Sequence, residues 1–183
     1  MGAHGRLVAL LRSRSLKTGD FVLASGKRSS WYIDCRRTTM HAEGLALVGE
    51  LGLAVIRDAG WTADAVGGMT LGADPVAYAI ALASQAHPPA IHGFTVRKAA
   101  KEHGMGRRIE GCFERGARVV VIEDSITTGG SALSAIEAVR AEGGQVTGVL
   151  AVVDRGEGGR EAIEKAGVNV RALVAASELL GAP

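Results

Sequence analysis

Aromatic residues are scarce in this chain, at 4% of 183 positions, and cysteine occurs only twice. Cys35 and Cys112 lie far apart and match no metal-ligand spacing, so they read as reduced cytosolic thiols and not as a metal site. No apolar signal region opens the sequence, and no apolar run is long enough to span a membrane. A cytoplasmic location without a membrane partner is therefore the default. Low-complexity tracts and internal repeats are absent. The glycine loops lack a following Gly-Lys-Ser/Thr, which excludes a Walker A loop, and Gly-x-Gly-x-x-Gly is missing, which excludes the dinucleotide fingerprint. The formal net charge is only +2 and does not call for nucleic acid.

What is present is 47% hydrophobic residues, 22% charged residues and 26 glycines, enough for one domain over residues 1–183 with a real core. Gly5 to Arg14 carries Leu7, Leu10 and Leu11 among arginines and reads as a short amphipathic helix. Phe21 to Asp34 reads as a hairpin around a Ser-Gly-Lys-Arg-Ser turn. His41 to Ala59 has a helical apolar period that Gly60 ends. Strands are expected at Ala63–Gly68, Ala90–Val96, Gln145–Val153 and Val168–Val174. Helices are expected from Pro75 to about Gln85, at Glu161–Ala166 and at Ser177–Leu180. Alternating strands and helices imply an α/β fold, a mostly parallel sheet with helices on both faces. Ligands of such sheets bind beyond the carboxyl ends of the strands. The Gly68–Asp74 loop, Arg97, Glu123–Ser131 and Asp154-Arg155 all follow expected strand ends, so they should share one edge.

The most informative stretch is Arg118 to Ala138. Val119 to Ile122 form a continuous β-branched run, a strand buried on both faces. The acidic pair Glu123 and Asp124 follows, then a turn of small and hydroxylated residues from Ser125 to Ser131, then a helical apolar period. Such a turn offers unpaired backbone N–H groups and a helix dipole to a single phosphate. Carboxylates beside a phosphate call for a different partner on the same ligand, and sugar hydroxyls suit them. A ribose 5-phosphate has both features. A lone Thr-Gly-Gly-Ser would read as an ordinary βα turn with a hydroxyl cap. The whole run VVVIEDSITTGGSA instead resembles the phosphoribosyl pyrophosphate (PRPP) motif of the type I phosphoribosyltransferases.

Residues 97–110 have no apolar period, two glycines and an excess of cations: Arg97, Lys98, Lys101, Arg107 and Arg108. A charge run usually means a solvated loop. No aromatics interleave with it, so a stacking platform for nucleic acid is missing. A mobile cationic loop suits an anionic leaving group, whose charge grows as its bond breaks.

The motifs in this order resemble orotate phosphoribosyltransferase over nearly the whole length. FVLASGKRSSWYID is similar to that family's N-terminal hood, which the resemblance places at about residues 1–40. RKAAKEHG is similar to its catalytic loop, EDSITTGGS to its PRPP loop, and AVVDRGEGG to the strand end with the orotate-binding arginine. The resemblance implies transfer of the phosphoribosyl group from PRPP to orotate, giving orotidine 5′-monophosphate and diphosphate in pyrimidine (UMP) synthesis. It assigns Arg97, Lys98, Lys101 and His103 to the diphosphate of PRPP. Glu123, Asp124, Ser125, Ile126, Thr127, Thr128, Gly129, Gly130 and Ser131 hold the ribose and 5-phosphate, and Thr127 and Arg155 contact orotate. Lys101, His103 and Asp124 are the catalytic candidates. Mg²⁺ is expected on substrate oxygens and water, with no protein cage. A homodimer is implied, with loop 97–110 completing the neighbouring site.

Two positions depart from the family pattern: Ala24 and Leu71 stand where lysines are common. Lys27 and Arg28 are the nearest replacements, and Thr70 with the backbone near Gly72 can still face phosphate oxygens. Other readings stay open for single residues. Arg155 can form a salt bridge with Asp154 or Glu157, and His103 can be a plain loop histidine. For the chain as a whole, the alternatives are transfer to another base and a non-catalytic PRPP sensor or RNA binder.

Overall fold

The computed structural model describes residues 1–22, 28–99 and 108–181. Its centre is strand β6, which runs from Arg118 to Ile126. The other strands are β1 (Leu16–Val22), β2 (Arg28–Ile33), β3 (Ala65–Met69), β4 (His92–Val96), β5 (Ile109–Gly111), β7 (Gln145–Asp154) and β8 (Val170–Ala175). The helices are α1 (Ala3–Leu10), α2 (Arg36–Thr39), α3 (Ala42–Asp58), α4 (Ala73–Ala86), α5 (Gly130–Ala141), α6 (Gly159–Lys165) and α7 (Ala176–Leu180). A π-helical turn, Leu11–Ser15, joins α1 to β1.

Six strands form the main sheet in the order β5-β4-β3-β6-β7-β8. All neighbours are parallel except β5, which pairs antiparallel with β4. The β-branched run of β6 is sorted by the two-residue period of a strand. Val120 and Ile122 pack into one apolar cluster with Val48 of α3 and Ile80 of α4. Val119 and Val121 pack into a second cluster with Ile136 of α5 and Ile163 of α6. Both faces are covered, so every inward position is apolar and no hydrophobic–polar alternation shows in the sequence. β3 is narrow for a reason: a Cβ on Gly68 would lie 2.0 Å from the Ile122 carbonyl oxygen.

The structure differs from the sequence expectations in several places, among them a short helix, α2, that was not expected. Strand β1 begins at Leu16, where Lys17 to Asp20 are exposed and carry no apolar alternation. Helix α1 stops at Leu10, and residues 11–15 wind more loosely. Ile109 and Glu110, read as the end of the basic loop, belong to β5, whose short pairing is anchored by buried Ile109. The acidic pair does not follow β6 but lies inside it, because pairing with β7 continues through Glu123, Ser125 and Ile126. The turn therefore starts at Thr127. Among the described residues no helix is long and apolar enough to cross a membrane.

Candidate active site

The carboxyl ends of β3, β6 and β7 meet at one edge, and the β1–β2 hairpin stands beside it. A cavity of about 300 Å³ lies there, lined by Tyr32 to Arg36, the loop Met69–Gly72, Lys98, Glu123, Asp124 and Ser131. An apolar groove of about 730 Å³ between α3 and α4 is larger, but the smaller cavity is the one that collects residues expected from the sequence, Lys98, Glu123, Asp124 and Ser131.

Glu123 and Asp124 form its floor. Glu123 is 8% exposed. Burial, then the charge of Asp124, pushes its carboxyl up to about 8. Burial also raises Asp124, opposed by its hydrogen bond from the Ser125 N–H, 2.8 Å to Oδ1, and by the charge of Arg36. Two carboxylates this close cannot both ionise cheaply, so the ligand-free pair retains a proton into the neutral range. Gly72 comes against this pair: a Cβ there would lie 2.8 Å from Cγ and Oδ1 of Asp124. The Thr70–Leu71 peptide is cis, and the Thr70 hydroxyl donates to Oδ2 of Asp74 at 2.7 Å.

Beyond the pair, the chain turns through Gly129, whose φ of +81° is the left-handed conformation that glycine adopts freely. Its Cβ-free edge also admits the Gly159 carbonyl oxygen, 2.8 Å from where a Cβ would sit. Helix α5 starts at Gly130 with no side-chain cap, so its first N–H groups remain available to an acceptor. Thr128, Gly130 and Ser131 are exposed, whereas Ile126 is buried in the second cluster and can offer a ligand only backbone.

Other expected site residues are distributed less evenly. Lys98 lines the cavity. Arg97 instead pairs with Glu110 of β5, Nη1 to Oε1 3.5 Å. Lys101, His103, Ala24 and Lys27 lie outside the described residues. Arg28 is solvent-exposed and pairs with Asp20 across the hairpin at 3.3 Å, away from the cavity. Leu71 lines the cavity with its apolar side chain 56% exposed.

Arg155 follows β7, and its side chain is 4% exposed. Its Nε–H donates to Oε1 of Glu157 at 2.7 Å, so the ion pair weighed from sequence exists. Asp154 is engaged elsewhere, by Nε of Arg160 at 2.8 Å. The guanidinium carbon also stands 4.0 Å from the centroid of the Trp31 ring. Its Nη2 is buried without a partner among the described residues.

Sequence reasoning missed the residues that follow the β1–β2 hairpin and line the cavity. Asp34 accepts from Arg36 N–H and Nε at 3.3 and 2.9 Å, and that bonding lowers its carboxyl below the usual range. Cys35 is 1% exposed, and burial with nearby carboxylates pushes its thiol well up, so it stays protonated. Polar residues at the end of a β-prone run, Asp34 and Arg36, were the available signal. The cavity joins paired carboxylates, which can accept from a diol, to Ser131 at the start of α5, where an anion can sit; Arg155 is not among the residues that line it.

No protein-family model matches the chain. It is 49% identical to the orotate phosphoribosyltransferase of Aquifex aeolicus over 178 residues, covering 96% of each chain. It is 44% identical to that of Rhodopirellula baltica, covering 91% of this chain and 89% of the other. Among solved structures, Mycobacterium tuberculosis orotate phosphoribosyltransferase in complex with PRPP superposes with a TM-score of 0.83 at 40% identity, covering 98% and 100%.

Proposed function

The chain belongs to the orotate phosphoribosyltransferases, and from that membership we propose how its own residues carry out the reaction. The enzyme transfers the 5-phosphoribosyl group of PRPP to orotate, giving orotidine 5′-monophosphate and diphosphate in pyrimidine nucleotide synthesis. Orotate N1 forms a bond to the anomeric carbon as the bond to diphosphate breaks, and positive charge develops on the ribose ring. No covalent nucleophile is needed; position, charge and exclusion of water suffice.

The observation that carries the residue assignment is the acidic pair Glu123–Asp124, with Glu123 buried and Asp124 half-buried, lining the cavity at the end of β6, five residues before the N-terminus of α5. Glu123 and Asp124 accept hydrogen bonds from the ribose hydroxyls and face the electron-poor ring. The N–H groups of Thr128 to Ser131 bind the 5-phosphate, with Ser125, Ile126 and Thr127 shaping the approach. Lys98, Arg97, Lys101 and His103 neutralise the diphosphate, with Lys101 and His103 as the catalytic candidates among them. Arg155 grips the orotate carboxylate, and Thr127 contacts the base. Residues 1–40 act as the hood of one domain spanning 1–183.

Mg²⁺ belongs to this reading as an ion carried on substrate. Among the described residues no three His, Cys, Asp or Glu side chains cluster as a cage, and Glu123 with Asp124 is the acidic group that lines the cavity. Hard carboxylate oxygens of this kind would suit Mg²⁺, which would be held mainly by substrate oxygens and water. The bound ion supplies charge neutralisation on the diphosphate.

A homodimer and a cytoplasmic location complete the proposal. Leu82 is 76% exposed on α4, beside Tyr78 and Met40 at the α3–α4 groove, an apolar face suited to a second copy of the chain. Loop 97–110 completes the neighbouring subunit's site in this dimer.

The test mixes the protein with PRPP, Mg²⁺ and either orotate or uracil and follows base absorbance. Orotate should be consumed and uracil left. Consumption of uracil at a similar rate would remove the carboxylate from the recognition, and inertness towards both would favour a non-catalytic role.

A further inference from the structure

We propose that Trp31 and Glu157 are positioning residues that lock the Arg155 guanidinium into a two-point clamp for the carboxylate of the acceptor base. The inference rests on the reading of Arg155 as the carboxylate partner and deepens it. Three observations meet at this side chain. Glu157 accepts the Nε–H at 2.7 Å, which fixes one edge of the guanidinium plane. The Trp31 ring, 4.0 Å from Cζ, covers a face and sets the tilt of that plane. Nη2 then remains buried and unpartnered among the described residues.

A guanidinium carries its donors in a rigid planar fork, so fixing one edge and one face leaves the other edge aimed in one direction. A buried charged donor without an acceptor bears an uncompensated desolvation cost, which an incoming carboxylate oxygen relieves. A purely structural ion pair would have no reason to leave that donor bare. The two supports come from distant parts of the chain: Trp31 from strand β2 of the hood, Glu157 from the loop after β7. Glu157 also offsets the charge of Arg155. Recognition then depends on the planar two-point fit of a carboxylate more than on net charge.

The full-length enzyme is assayed by orotate absorbance with Trp31→Leu, Glu157→Ala, Glu157→Gln, Arg155→Ala and the double variant Trp31→Leu/Arg155→Ala. Trp31→Leu and Glu157→Ala should each raise the KM for orotate about three- to tenfold, with the KM for PRPP within about twofold of wild type. Glu157→Gln keeps an oxygen acceptor for Nε–H and should recover most of what Glu157→Ala loses. The double variant should be no worse than Arg155→Ala alone, because Trp31 acts through Arg155. Multiplied losses in the double variant, or equal rises in both KM values, would overturn the clamp. If Trp31→Leu fails to fold, the two Glu157 variants decide, since that residue lies in a loop outside both apolar clusters. An orotate-selective defect in Arg155→Ala without one in Glu157→Ala sinks the clamp alone. An unselective defect in Arg155→Ala sinks the carboxylate reading and the clamp with it.

Discussion

Replacing Gly72 by alanine separates stability from catalysis in a way the geometry makes quantitative. Gly72 has φ −65° and ψ −44°, values any residue adopts, so the backbone is not strained by the change. The added methyl would stand 2.8 Å from Cγ and Oδ1 of Asp124 and 2.9 Å from Oδ2. Carbon atoms settle about 3.5–4.0 Å apart, so the carboxylate must withdraw by roughly 1 Å. That movement pulls it from the Ser125 N–H, its 2.8 Å partner. Local crowding costs about 1–3 kcal/mol, offset by about 0.4–1 kcal/mol from the stiffer unfolded chain. The net loss of about 0–2.5 kcal/mol lowers the Tm by at most about 10 °C for a chain of this size. A misplacement of about 1 Å at a catalytic group, in contrast, costs on the order of a hundredfold in turnover. Thermal melting and orotate absorbance on the same preparation check both numbers. Turnover within about threefold of wild type, with the fold intact, would refute a fixed role for the Asp124 carboxylate.

Further predictions concern the pair's proton, the sheet and the loop. The Glu123 carboxyl is raised from 4.5 to about 8 in the fold, so its contribution is complete below about pH 4.5 and is lost as pH rises through about 8. The Tm of the ligand-free protein should fall over that range, and Glu123→Gln should flatten the profile; an unchanged slope would show that Glu123 is not its source. Gly68→Ala drives a methyl to 2.0 Å from the Ile122 carbonyl and should destabilise by about 3 kcal/mol or more, read as a Tm loss or insoluble protein. Lys101→Ala should lower turnover while leaving orotate binding nearly unchanged. Mixing it with the impaired Asp124→Asn should raise activity above either variant alone, towards about a quarter of wild type, if the loop serves the partner's site; no rise after verified subunit exchange would place it over its own.

The sheet was legible because its period is carried by particular residues. Val119 to Ile122 announce a strand covered on both sides, and the helical spacing in Ala42–Asp58 announces α3. Strand β5 escaped notice because three residues, Ile109 to Gly111, are too few to show a period, and it is held by β4. The exposed Lys17–Asp20 part of β1 was illegible for a related reason: its pairing with β2 leaves no buried face to mark the pattern. Within the site, Glu123, Asp124 and Gly129 could be read locally, since chain neighbours supply the chemistry. The contacts of Gly72 with Asp124 and of Trp31 with Arg155 could not. They join residues far apart in sequence, and nothing in either local pattern names the partner.

Asp124→Asn tests most directly whether the acidic pair at the end of β6 serves the ribose of PRPP during transfer to orotate. The amide keeps the shape, so the Tm should stay within a few degrees of wild type. It removes a charged acceptor, whose hydrogen bonds are worth about 1.5–3 kcal/mol, and turnover with orotate should fall about ten- to a hundredfold or more. Wild-type turnover in a correctly folded Asp124→Asn enzyme would contradict the account.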